Sequence, residues 1–131
     1  MKLIKFLAVL PAMAALVFSL NASADEMHHG DSKAISQMAE IMMRLHHYPD
    51  AKGEKVLREI INDGSTSATD RALAQAMLDV HHHVNPKDKA PLNKIINDPS
   101  ASEHEKQMAD IILNLNHKPT SADKEKLHDM M

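Results

Sequence analysis

The sequence predicts an all-α chain of three helix-turn-helix repeats of 35 residues, stacked as a short α-solenoid or closed into a six-helix bundle. Three observations predict it. At an offset of 35, residues 38–72 and 73–107 share 12 of 35 positions, including His46-His47 with His81-His82 and Ile60-Ile61-Asn62-Asp63 with Ile95-Ile96-Asn97-Asp98. A third, truncated copy over 108–131 keeps Ala109, His117 and Leu127 in register. Apolar residues recur at steps of three and four, and no stretch alternates at period two, so helices are expected and strands are not. Finally, hydroxyl and carboxylate residues stand three apart where three of the helices should begin, as N-terminal caps require.

In chain order, residues 1–24 read as a secretory signal. Lys2 and Lys5 precede the apolar run Leu7 to Leu20, and Ala22-Ser23-Ala24 supplies small residues for cleavage after Ala24. The run is short and contains Pro11, which disfavours a membrane anchor. Residues 25–31 form a short N-terminus, expected to be flexible, that carries His28 and His29. The helical-repeat domain then covers 32–131. The first helix of each copy presents Ile35, Met38, Met42 and Leu45, then Leu73, Met77 and Val80, then Met108, Ile112 and Leu115. The second presents Leu57, Ile60 and Ile61, then Leu92, Ile95 and Ile96, then Leu127, Met130 and Met131. Ser67 with Asp70, Ser102 with Glu105 and Thr120 with Asp123 are the expected capping pairs. Gly64 and Pro99 should end second helices. Pro91 is tolerable if Asp88 is the cap, because it then falls in the first turn.

A 35-residue period with two helices per copy resembles the tetratricopeptide repeat in length. The aromatic and glycine positions of that family have no counterpart here. What the resemblance implies is an extended concave surface that holds a partner protein. Interface hot spots favour Trp, Tyr and Arg, however, and beyond residue 24 the chain offers Tyr48, Arg44, Arg58 and Arg71.

Composition excludes several classes. With no Cys there is no disulfide framework, thiolate zinc site or c-type haem. Three Gly leave no phosphate-cradling loop. Removing Lys2 and Lys5 with the signal leaves 13 basic against 18 acidic residues, a poor balance for a nucleic-acid binder. No nucleophile elbow or metalloprotease helix motif is present, and the expectation is a protein that is not an enzyme. Glu40 with Arg44 and Glu54 with Arg58 are spaced for pairing on solvated helix faces.

The remaining signal is imidazole: ten His, at His28-His29, His46-His47, His81-His82-His83, His104, His117 and His128. Neutral imidazole ligates copper, nickel and zinc, and clustered His in an exported chain points to such an ion. The candidate ligands are His81, His83, Asp79, His46, His47, His82, His28 and His29. Asp79 lies one helical turn from His82 and His83 and can complete a mixed site. His47, His82 and His117 share one repeat position at the C-terminal end of the first helix, where they also serve as caps for unpaired carbonyls. Helices packed side by side are about 8 to 10 Å apart, so three equivalent His should span about 20 Å; two could share an ion but three could not, which leaves His47, His82 and His117 as structural and His46, His81, His83, His28 and His29 as the surplus. Most Met belongs to the core stripe, leaving Met27 and Met43 as soft-ligand candidates.

The expected function is therefore a soluble, non-catalytic periplasmic or secreted protein that binds or buffers copper, nickel or zinc. One alternative is an adaptor that holds a partner without metal. The other is a stress protein switched by the titration of ten imidazoles near pH 6.5. Neither nucleic acid nor membrane insertion after signal removal is expected.

Overall fold

The computed structural model describes residues 32–131, so the expected signal segment and the N-terminus with Met27, His28 and His29 lie outside the described residues. Six α-helices make up the fold: α1 (Lys33–Met43), α2 (Ala51–Asn62), α3 (Ala68–Leu78), α4 (Lys89–Ile96), α5 (Glu103–Leu113) and α6 (Ser121–Asp129). A single 3-10 turn, Pro86–Asp88, leads into α4. Among these residues there is no strand, and no helix is long and apolar enough to cross a membrane.

The caps act largely as the spacing predicts. Ser102 and Thr120 form complete reciprocal boxes with Glu105 and Asp123, each side chain accepting from the other residue's backbone N–H. Ser67 accepts from the Asp70 N–H at 3.0 Å, but the return bond is absent. The Asp70 carboxylate turns instead to the first repeat and accepts from the Ser32 hydroxyl at 2.7 Å, with only 3 % of Asp70 exposed. Ser32 in turn caps α1 through the Ile35 N–H. A cap residue thus joins the starts of α1 and α3. Pro91 stands in the first turn of α4, behind Asp88, where its missing N–H is harmless. The recurring Ser65 and Ser100 close the second helices: each hydroxyl and N–H donates to the carboxylate two residues back, Asp63 or Asp98. These bonds hold both carboxyls below the usual carboxylate range.

Equivalent positions in the copies are buried alike. Met38, Leu73 and Met108 are fully enclosed, as are Ala39, Ala74 and Ala109, and then Met42, Met77 and Ile112. The second helices add Leu57, Leu92 and Leu127, also fully enclosed. At about 25 cal/mol per Å² of apolar area, this layered packing is the main favourable contribution to folding. Met131 departs from its expected place in the stripe. Lying beyond the end of α6, it is 52 % exposed, while Met130 takes the buried position. Met42 and Met43 belong to or pack on the core. The predicted surface pairs form, Arg44 to Glu40 at 3.0 Å and Arg58 to Glu54 at 2.7 Å.

Contacts join successive elements and also the two ends of the domain. α3 packs on α2 and α5 packs on α4, while α1 touches α6 as well as α2, α3 and α5. The inner helices α1, α3 and α5 all run toward the three loops 44–50, 79–85 and 114–120.

Candidate metal centre

Each of these loops begins where an inner helix stops. The C-caps are Arg44, Asp79 and Asn114, so His47, His82 and His117 lie three residues beyond the caps and do not close the helices. All three have positive φ, 70°, 67° and 65°, and they are the only non-glycine residues with positive φ among the described residues. In each copy the residues on either side hydrogen-bond to one another, as in the 2.8 Å bond from the Tyr48 N–H to the His46 carbonyl, which pinches the His outward at the tip of a three-residue turn. Such a conformation costs a non-glycine residue about 1–3 kcal/mol and persists where surrounding structure enforces it.

The enforcing structure is a closed cycle of backbone bonds. The His47 N–H donates to the His117 carbonyl at 2.7 Å, the His117 N–H to the His82 carbonyl at 2.7 Å, and the His82 N–H to the His47 carbonyl at 2.6 Å. Three N–H groups and three carbonyls that would otherwise protrude are satisfied by one another. Two residues back in each copy, the buried Leu45, Val80 and Leu115 form the apolar floor.

Above this cycle the three rings converge. Their Nδ1 atoms are 2.9, 3.0 and 3.0 Å apart, and the planes are inclined at 61°, 87° and 79°, like the blades of a propeller. A single imidazole nitrogen is either a donor or an acceptor, never both. Three such atoms in a triangle therefore cannot satisfy all three contacts by hydrogen bonding alone. With every proton on Nε2, the three lone pairs face one point, an arrangement that is repulsive until a cation occupies it. Burial and the neighbouring imidazoles of His47 and His117 hold the pKa of His82 below the ordinary His value, which favours the neutral, ligating form. The trio is the one group of three or more His, Cys, Asp or Glu among the described residues placed to hold a metal ion.

The triangle fits an ion without rearrangement. Its corners lie ~1.7 Å from their centre, so an ion at the ~2.0–2.1 Å usual for zinc and imidazole sits ~1.1 Å above the plane with N–metal–N angles near ~90°. Moving each nitrogen outward by ~0.2 Å opens the angles to tetrahedral. In both cases three imidazoles would leave coordination positions of the ion open.

Of the residues singled out from sequence, the structure brings together His47 and His82, and joins to them His117, which capping had seemed to explain. The expectation that three equivalent His are too far apart to share an ion is overturned. It took the spacing of helix axes, whereas the ligands sit on loops beyond the helix ends that turn toward one another. Asp79 points elsewhere, accepting from Gln75 at 2.9 Å and Lys87 at 2.9 Å. Burial opposes its charge, but those two bonds outweigh burial and hold its pKa low. His81 lies against Tyr48, with ring centres 5.9 Å apart, beside an open cleft of about 420 Å³ that Asp79, Arg58 and Gln75 also line. The Nδ1 of His83 is 3.2 Å from the Leu115 carbonyl, with its ring 5.4 Å from that of His117. His46 is exposed beside the trio. His28 and His29 lie outside the described residues. The signal that finds the trio is register: position 47 carries His in all three copies, whereas position 46 becomes Asn116 in the third.

No protein-family model, curated protein or solved structure matches this chain.

Proposed function

We propose that the chain binds a late transition metal ion, copper, nickel or zinc, at His47, His82 and His117, and that three helical hairpins, the last one truncated, close around a common axis to deliver one ligand each. The observation that carries this reading is the meeting of three Nδ1 atoms within 3.0 Å at three strained backbone positions. Strain repeated at equivalent sites needs a return, and ligation supplies one. The negative ends of α1, α3 and α5 approach the same end of the molecule and favour a cation there. Three neutral ligands with open positions suit an ion that is held and exchanged, so we read the protein as a non-catalytic buffer or carrier. Our reading of segment 1–24 as a secretory signal supports a role in the periplasm or outside the cell.

Calorimetric titration of zinc(II), nickel(II) and copper(II) into the untagged chain tests the reading. Asn tolerates the positive-φ backbone, so His47→Asn, His82→Asn and His117→Asn remove a ligand while keeping the turn. Each is expected to weaken binding by about tenfold or more, whereas His46→Ala and His81→Ala stay within about threefold. Equal losses in both groups, or no binding by the parent chain, would refute the trio as the site.

A further inference from the structure

The end of the molecule that bears the trio consists of three exposed triplets, 46–48, 81–83 and 116–118. Six of these nine residues are His, none is Asp or Glu, and Lys118 is the one Lys or Arg. In a chain of net charge −3, triplets with no carboxylate of their own are where two copies can approach with least repulsion, Glu54 and Asp79 lying to one side in the cleft beside Tyr48 and His81. Tyr48 stands on this face and is 57 % exposed, one of two exposed large hydrophobic residues among the described ones. Around an ion seated on the trio with N–metal–N angles near ~90°, the three nitrogens would occupy one triangular face of an octahedron, so the three open positions form the opposite triangle.

Resting on the metal reading above, we propose that two copies of this chain meet face to face across a single ion, each supplying the Nδ1 atoms of His47, His82 and His117 to one half of a six-nitrogen shell. Each trio has the shape the other lacks, because the vacant triangle repeats the occupied one. Nine residues per side fall well short of the about 20–30 of a stable interface. The face therefore cannot hold two copies by itself, and association depends on the ion.

The test is sedimentation or light scattering while nickel(II) is titrated into the purified, untagged chain. The expected result is a break at half an ion per chain, a doubling of mass at that point, and return to a single chain on adding a chelator. The chain loaded with cobalt(II) should show the weak visible absorption of six-coordinate ions and not the intense bands of four-coordinate ones. Tyr48→Lys, which adds like charges across the contact, should keep the ion but bind at one per chain without doubling. Saturation of the parent chain at one ion with an unchanged mass would overturn the proposal while leaving the metal site standing. Unchanged doubling in Tyr48→Lys would overturn the assigned face. If no ion binds at all, the metal reading itself fails.

Discussion

Saturating the trio with zinc should raise the thermal stability of the chain by an amount that can be worked out beforehand. The ligands come from residues 47, 82 and 117, so the unfolded chain offers no assembled site, and the ion acts almost wholly on the native state. Free zinc at a hundred times its dissociation constant then adds about 2.7 kcal/mol. For a domain of this size each kcal/mol moves Tm by about 4–8 °C, so a rise of about 10–20 °C is expected. Scanning calorimetry at pH 7.5, with and without ion, measures it, and His82→Asn should lose nearly all of it. The effect should also fade in acid. The native pKa of His82 is lowered by burial and by the His47 and His117 imidazoles. The native state therefore binds fewer protons than the unfolded one, so the contribution of His82 is fully present above the unfolded His value and is lost as pH falls through the lowered native value. Protons and zinc compete for the same lone pair, which steepens the loss. A rise in Tm that survives in His82→Asn, or that is as large at pH 5 as at pH 7.5, would refute the reasoning.

Other outcomes follow from the packing. Ser32→Ala removes both the cap of α1 and the hydroxyl that donates to Oδ2 of buried Asp70, and should cost about 2–3 kcal/mol in urea denaturation, against about 1 kcal/mol for Ser102→Ala, which removes a cap alone. Leu92→Ala empties a fully enclosed position and should cost about 2–5 kcal/mol by the same measurement. Ser65→Ala and Ser100→Ala should raise the titration midpoints of Asp63 and Asp98, read by NMR, because hydroxyl donation is the largest cause that lowers them. Stability from those carboxylates is present above their unfolded values and declines as pH falls through the lowered native ones.

The helices and their buried stripes were legible because both are local. Ile35, Met38 and Met42 declare a face by spacing alone, and Ser102 with Glu105 declares a start within four residues. The half-formed box at Ser67 was not legible, because Asp70 chose a partner 38 residues away, and no local pattern announces that choice. The trio lay between these cases. Each of its members was visible, but its geometry depends on how three loops turn after their helices end. A His at positive φ carries no flag of the kind glycine would give. Adjacent His46, His81 and His83 made the richer cluster in sequence, yet pinching each turn at its middle residue sends the neighbours outward. The masses of side chains in a run thus mattered less than one backbone angle repeated three times.

The closed cycle of bonds linking His47, His82 and His117 has no first member, and the chain that supports it has an arbitrary starting point. Ser32 stands to α1 as Ser67 does to α3, and Met131 aligns in sequence with Ile61 and Ile96. α6 meets α1 much as each second helix meets the inner helix that follows it. A linker should then join Met131 to Ser32, with the chain reopened between α2 and α3 instead. Such a circular permutant would reorder every residue along the polymer and still return the same three imidazoles to the same point.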